Sequence, residues 1–274
     1  MTPARFLVDD IQHNLHTHTF GQTVLYYDQI DSTSTELKRL ADVGAPEGTL
    51  IIADEQVAGR GRFERRWLAP PGSSLLTSLL FRPAFLPPNR VQYITMLCAL
   101  AAVDAIAATT GVSAGLKWPN DLLHGGRKLA GLLTESSFAG ERLSWVVVGL
   151  GLNVNVDFSA LTASPSGEYA SLAVTATSLQ MITGAHVPRL PLLQAYLQAV
   201  ERRYDALKQG ETPCKAWAAR LTMLGQPVTV VAEEATFSGV AEGVDEEGAL
   251  LVRLPDGRLE RVLAGDVTLR QGKT

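Results

Sequence analysis

The chain has 274 residues, 46% of them hydrophobic and 19% charged, with a formal net charge of −4. That length suits one large domain with a real core, or a domain and a small appendage. The acidic balance argues against an extended nucleic-acid or anionic-membrane surface, which needs a basic excess.

Residues 1–22 are polar and carry His13, His16 and His18. A metal cluster is one reading of them; a frayed or edge extension is the one expected. They hold no basic region followed by an apolar one, so no secretory signal is read. Ser32 and Thr33 suit the N-cap of a short helix through Glu36, Leu37 and Leu40, which Gly44 would end. Leu50 to Ala53 reads as a buried strand delivering Asp54 and Gln56 to a loop, and Ser74 to Phe81 as the next strand.

The loop between them, Gly59 to Trp67, reads Gly-Arg-Gly-Arg-Phe-Glu-Arg-Arg-Trp. Guanidinium groups bind carboxylates and phosphates through paired planar donors. Gly59 and Gly61 let the backbone come close to a bound group, and Trp67 offers a flat apolar face. Four arginines in an acidic chain point to a small anionic ligand rather than a long polyanion.

From Asn89 to Thr109, Val91, Ile94, Leu97, Cys98, Ala101 and Ala105 recur every three or four residues, which predicts an amphipathic helix with a wide buried stripe. No uninterrupted apolar run approaches the ~18 residues of a membrane span. Leu116 to Trp118 starts a strand that turns at Gly125-Gly126. Leu129 to Glu135 and Leu143 to Leu150 read as antiparallel strands joined at Ala139-Gly140. Leu190 to Leu207 and Cys214 to Leu224 are helical in pattern. Past Leu224-Gly225, short strands at 228–231, 235–241, 249–253, 259–262 and 267–270 suggest a small β-barrel. The division expected is therefore 1–224 and 225–274. Cys98 and Cys214 form no CxxC pair, so free thiols in a reducing, cytoplasmic setting are expected.

Three segments are polar where the pattern predicts core. Lys117-Trp118-Pro119-Asn120-Asp121 puts a lysine, an amide and a carboxylate at a strand end. Arg127-Lys128-Leu129-Ala130-Gly131 starts a buried strand with Lys128, where an unpaired ammonium is costly. Gly149-Leu150-Gly151-Leu152-Asn153 ends another with glycines and an amide. Each has a plain reading: Lys117 a snorkelling edge lysine, Asn120-Asp121 a turn, Gly149 and Gly151 room for tight packing. Polar groups converging at several strand ends are also the mark of a ligand pocket. There is no Walker loop, dinucleotide fingerprint, Gly-x-Ser-x-Gly elbow or His-Glu-x-x-His motif.

Together these motifs resemble the biotin protein ligase family, in that family's order and at similar spacing. Ser32-Thr33, Gln56, Ala176-Thr177-Ser178-Leu179 and Gly243 to Leu250 match as well, so the resemblance runs from about residue 20 to the C-terminus. It implies an α+β fold, with a mixed, mainly antiparallel sheet backed by helices and a C-terminal SH3-like barrel. It implies adenylation of biotin with ATP and Mg²⁺, then transfer to one lysine of a biotin carboxyl carrier domain. By the same resemblance Ser32, Thr33, Gln56, Gly59, Arg60, Gly61, Arg62, Lys128 and Gly131 line the biotin site. Arg62, Arg65, Trp67, Lys117, Asn120, Lys128, Asn153, Ala176, Thr177 and Ser178 serve the adenylate. Lys128 and Arg62 are the catalytic cations, and Asp121 orients or deprotonates the acceptor lysine. No metal ligand is assigned, and a homodimer through sheet edges is allowed.

A lipoate or octanoyl ligase or transferase of the same superfamily would share the fold but lack the Gly-Arg-Gly-Arg loop. A non-catalytic biotin sensor would not need Lys128, and an oligonucleotide-binding module fits poorly with the acidic chain. Regulatory relatives carry an N-terminal helix-turn-helix, whereas the catalytic pattern here starts near residue 20, so operator binding is not expected. Many relatives also have glycine where this chain has Glu64, which restricts the backbone and sets a negative charge among the arginines. Glu64→Gly is therefore expected to slow loss of a bound adenylate, and an unchanged dissociation rate would refute the idea.

Overall fold

In the computed structural model, residues 5–63, 65–161, 171–232, 236–263 and 265–269 are described. A short helix α1 (Val8–Gln12) leads to β1 (Val24–Ile30), α2 (Thr33–Asp42), β2 (Leu50–Gln56) and β3 (Ser74–Phe81). Then come α3 (Gln92–Thr110), β4 (Gly115–Lys117), β5 (Asp121–His124), β6 (Arg127–Ala139) and β7 (Arg142–Asn153). Three short helices, α4 (Phe158–Leu161), α5 (Leu172–Thr175) and α6 (Leu179–Thr183), precede α7 (Arg189–Lys208) and α8 (Cys214–Ala218). The chain ends in β8 (Pro227–Val231), β9 (Thr236–Val244), β10 (Leu250–Arg253), β11 (Leu259–Val262) and β12 (Asp266–Leu269).

Strands β1 to β7 form one sheet in the order β1-β2-β3-β7-β6-β5-β4, in which only the β1–β2 pair is parallel. Successive strand residues face opposite sides, and here the two sides bury different things. Leu75, Leu79 and Phe81 of β3, with Val146, Val148, Leu150 and Leu152 of β7, join the large core that includes α3 and α7. Leu80, Trp145 and Val147 face the other way and meet Leu37 and Ala41 of α2. Ser32 caps α2, its hydroxyl accepting from the Thr35 N–H, and Gly44 takes φ +93° just beyond its end. Burying Leu37 alone stabilises this layer by about 2 kcal/mol.

Strands β8 to β12 form a second, antiparallel sheet in the order β11-β10-β9-β8-β12. Val228, Val230, Ala241, Leu250, Val252 and Val267 are buried in the same core as the larger sheet. The Trp118 indole N–H donates to the Gly248 carbonyl at 3.0 Å, tying the two sheets together. The α+β class and the short C-terminal strands follow the sequence pattern; Ala235 and Arg270, expected at two strand ends, lie outside the described residues.

Four local expectations change. Helix α3 is buried on almost every side rather than along a stripe, from Tyr93 through Val103 to Ile106. By length and composition it could cross a membrane, although Thr95 and Asp104 interrupt the run, and most of it lies inside the core. The helix expected to reach Leu224 stops at Ala218, because the following backbone bonds to β4: Leu116 N–H to Arg220 O at 2.8 Å and Thr222 N–H to Leu116 O at 2.9 Å. Strand β1 is absent from the sequence reading, its polar Asp28 and Gln29 breaking the apolar signal of an edge strand.

The N-terminal segment is also not frayed over its described part. Phe6, Ile11, Leu15 and Phe20 are buried. The buried Glu201 carboxylate accepts backbone N–H groups from His18 at 2.6 Å, Thr19 at 3.1 Å and Phe20 at 3.0 Å. Phe20 then packs on Phe81 and Tyr204, with ring centroids 4.8 and 5.5 Å apart.

A buried ion pair fixes the end of β2 that leads into the arginine loop. Arg189 at the start of α7 reaches Asp54 at 2.8 Å and the Ser74 carbonyl at 3.2 Å, while the Tyr26 hydroxyl donates to the other Asp54 oxygen at 2.7 Å. Burial and this carboxylate push the Tyr26 phenol well above its usual range. Removing Asp54 would take a buried carboxylate from the Arg189 charge, and breaking such a pair typically costs about 3–5 kcal/mol. Asp54→Ala is expected to lower stability in urea unfolding by that order; a loss below about 1 kcal/mol would show the pair to be idle.

Candidate active site

On the face of β7 that carries Trp145 and Val147, the next two positions toward the strand's C-terminal end are Gly149 and Gly151. A Cβ at Gly149 would lie 2.5 Å from the Ser34 hydroxyl, and one at Gly151 would lie 2.5 Å from the Trp67 ring. Gly131 of β6 sits directly opposite Gly151 in the ladder. Where the sheet lacks side chains, the layer opens into a cavity of about 480 Å³, within the usual range for small-molecule sites.

One end of the cavity is lined by hydroxyl and amide groups. The N-terminus of α2 presents Ser32, Thr33 and Ser34. The Thr33 N–H and hydroxyl both donate to Gln56 Oε1, at 2.8 and 3.1 Å. Ser78 of β3 lies 2.8 Å from the Thr33 hydroxyl and 2.9 Å from that of Ser34. This network fixes Gln56 with its carbonyl committed, leaving its amide N–H donors for a ligand.

The arginine segment folds as a narrow arch over the cavity. Trp67 N–H donates to Gly59 O at 2.9 Å and Gly61 N–H to Arg65 O at 2.7 Å, with Arg60 bridged to Arg66. A Cβ at Gly59 would meet the Trp67 carbonyl at 2.5 Å, so a side chain there is excluded by the arch itself. Arg60 pairs with Glu135 of β6 at 3.0 Å, which also takes Lys38 at 2.6 Å. Arg65 pairs with Asp266 of β12, and Arg62 donates to the Gly265 carbonyl at 3.1 Å. Burial pulls the Arg62 guanidinium below its ordinary value while Asp266 and Asp121 hold it up; an arginine so placed remains a cation. Trp67 lies on Gly151 with its indole N–H buried and without a partner among the described residues. Glu64 lies outside the described residues.

Beneath the arch, Lys128 at the start of β6 holds Asp121 of β5 at 2.7 Å, with its ammonium 5.7 Å from the Trp67 ring centroid. Asn120 is clamped to Leu132 by its amide, which donates to the Leu132 carbonyl. The Asn153 amide donates to Thr177 O at 3.1 Å, and Thr177 N–H donates to Lys128 O at 2.9 Å. Five cations (Arg60, Arg62, Arg65, Arg66 and Lys128) thus share the wall with two carboxylates, Asp121 and Asp266. The balance favours a ligand with more than one negative charge.

The expected residues Ser32, Thr33, Gln56, Arg60, Gly61, Arg62, Arg65, Trp67, Asn120, Asp121, Lys128, Gly131, Asn153 and Ala176 come together around this cavity. Gly59, Lys117, Thr177 and Ser178 are not in its wall. Gly59 closes the arch, and Lys117 is the last residue of β4, at the sheet edge. Ser178 caps α6, accepting from Met181 N–H at 3.1 Å and donating to Val156 O at 2.7 Å.

The wall also holds residues that the sequence reading did not assign. Ser34 adjoins the Ser32-Thr33 pair already noted, and Gly149 and Gly151 lie within the strand-end motif of which only Asn153 was assigned. Phe158 and Leu172 close the far side. Asp266 had no local signal, since its partners lie some two hundred residues away.

Two family models match the chain: the biotin/lipoate A/B protein ligase family over residues 26–153, and the biotin protein ligase C-terminal domain over residues 223–270. The bifunctional ligase/repressor BirA of Bacillus spizizenii is 35% identical over 270 residues, covering 97% of this chain and 80% of that protein. The biotin–[acetyl-CoA-carboxylase] ligase of Paracoccus denitrificans is 37% identical over 232 residues, covering 83% of this chain and 93% of that one. Among solved structures, the biotin protein ligase of Aquifex aeolicus in complex with biotin and ATP superposes with a TM-score of 0.74 at 26% identity, covering 92% of this chain and all of that one.

Proposed function

The chain belongs to the biotin/lipoate A/B protein ligase family, and we propose that the cavity under the arginine arch is where its chemistry takes place. It is an ATP-dependent biotin protein ligase. A biotin carboxylate oxygen attacks the α-phosphorus of ATP, pyrophosphate leaves, and biotinoyl-AMP is formed. A lysine amine of a biotin carboxyl carrier domain then attacks the acyl carbon and AMP departs.

The observation that carries this reading is the pairing, in one cavity, of a neutral hydrogen-bonding end with a cationic end. Ser32, Thr33 and Gln56 suit the ureido ring of biotin, which both donates and accepts. A lipoyl head has no such groups and would leave the Gln56 amide donors without an acceptor, so the lining supports biotin over lipoate. The cationic end suits a carboxylate meeting a phosphate. Two anions must be brought together there, so fixed positive charge does more for the rate than a protein nucleophile would.

Lys128 and Arg62 bridge the reacting carboxylate and α-phosphate, and Arg65, Asn120, Asn153 and the Ala176–Ser178 segment serve the nucleotide. Trp67 flanks the adenine, and Lys117 acts at longer range. The arch excludes water from the hydrolysable anhydride. When Lys128 turns to the phosphate it releases Asp121, which can then orient the acceptor amine or take its proton.

Mg²⁺ belongs to the same proposal. Asp121 and Asp266 are already engaged by cations, which suits an ion carried on phosphate oxygens rather than in a protein cage. Once bound it offsets charge on the departing pyrophosphate. The division at 224/225 is supported by the start of the second family match. A cytoplasmic setting is supported by the free thiols of Cys98 and Cys214.

The reading is tested by following pyrophosphate release with ATP, Mg²⁺ and either biotin or lipoate; no release with biotin would end it. Lys128→Ala is expected to fold yet lose adenylation by about 10²–10³-fold, and a normal rate would remove its assigned role. Arg62→Ala is expected to lose the adenylate about tenfold faster, seen as free biotin when no carrier is present. An unaltered leak would take the arch out of the mechanism.

A further inference from the structure

We propose that His18, Glu201 and Asp205 form a site for one divalent transition-metal cation of the zinc class, separate from the ligand cavity and sharing no residue with it. Glu201 and Asp205 are four residues apart on α7, so one helix face carries both carboxylates. The turn before β1 brings the His18 ring between them. The ring Nδ1 contacts Glu201, and Nε2 lies 3.5 Å from Asp205. One ligand atom from each of the three residues lies within 4.8 Å of the other two.

A neutral imidazole donates through one ring nitrogen only. One of these two nitrogen–carboxylate contacts therefore sets lone pair against lone pair unless something positive joins them. A divalent ion taken by one ring nitrogen and shared with the carboxylates removes that opposition while the other nitrogen keeps its proton, and one imidazole with two carboxylates is an ordinary donor set for it.

The surroundings are built to hold the donors. Glu201 is buried, and its oxygens accept the N–H groups of His18, Thr19 and Phe20. The turn carrying the imidazole is thus fixed by the same carboxylate that would share the ion. Oε2 takes both the Thr19 and the Phe20 bond, so coordination falls to Oε1, which takes the His18 N–H at 2.6 Å and only the longer arm of the Thr19 N–H at 3.3 Å. A solvent-reached hollow adjoins the three residues and has room for water as further ligands; Arg202 on its rim and Lys208, 3.4 Å from Asp205, are cations the ion would have to tolerate. Occupancy would join the N-terminal segment to α7.

The test uses the whole 274-residue chain, untagged, stripped by a chelator and titrated with Zn²⁺ in competition with a chromophoric chelator. Co²⁺ is added in parallel and followed by absorption. One equivalent is expected to bind, with affinity at least about tenfold weaker in His18→Gln and in Asp205→Asn. Zn²⁺ should raise the melting temperature of the wild type and of neither variant. Both substitutions leave the Glu201 bonds to the backbone in place, so folding is expected to survive. No saturable binding by the wild type would overturn the proposal, as would unchanged affinity in either variant. A thiolate charge-transfer band with Co²⁺, which would put the ion on a cysteine, would overturn it too.

Discussion

Crowding like charges around one cavity is the constraint on which the rest of the site depends. Two unit charges 4 Å apart near a protein surface repel by on the order of 4 kcal/mol, and here four arginines and Lys128 share one wall. The fold offsets the repulsion by giving each cation a fixed acceptor. Arg60 has Glu135, Lys128 has Asp121, Arg65 has Asp266, Arg62 has the Gly265 carbonyl, and Arg66 has the Val57 carbonyl. An incoming anion thus meets positive charge that is already placed, and reorganisation is reduced to exchanging one oxygen partner for another.

Those partners belong to different parts of the chain, and this gives the arch two kinds of support. Its first arm is held through Arg60 to a strand in the body of the larger sheet. Its tip is held through Arg62 and Arg65 to the last strand of the C-terminal sheet, which itself packs into the common core. The arch therefore registers the position of the second sheet. Its outer contacts, being exposed, weaken as salt rises, whereas the buried Asp54–Arg189 pair at the base of the arch is screened far less.

The parts legible in the sequence were those encoded locally. The Ser32 cap, the Gly-Arg-Gly-Arg run and the lysine opening β6 each declare themselves within a few residues, and most of the wall follows from them. Distant pairings were not legible. Nothing near Asp266 marks it as the partner of an arginine at position 65, and nothing near His18 reveals that its turn docks on Glu201. Periodicity also misled at α3. Its small residues fit a helix buried on several sides, whereas the pattern suggested a single stripe. The helix after Cys214 ended early because its backbone found a strand to pair with, a tertiary choice that helix propensity does not carry.

The floor of the cavity consists of side chains that are not there. Gly149, Gly151 and Gly131 interrupt a face that elsewhere carries residues as large as Trp145, and Ser34, Trp67 and Lys128 of the cavity wall settle against the gaps they leave. A site built in this way can drift in one direction only. No residue is smaller than glycine, so every replacement at these positions adds atoms to the space. Change at these three positions can only crowd Ser34, Trp67 and Lys128, and any broadening of ligand range in this lineage must come from other residues of the wall or from the arch.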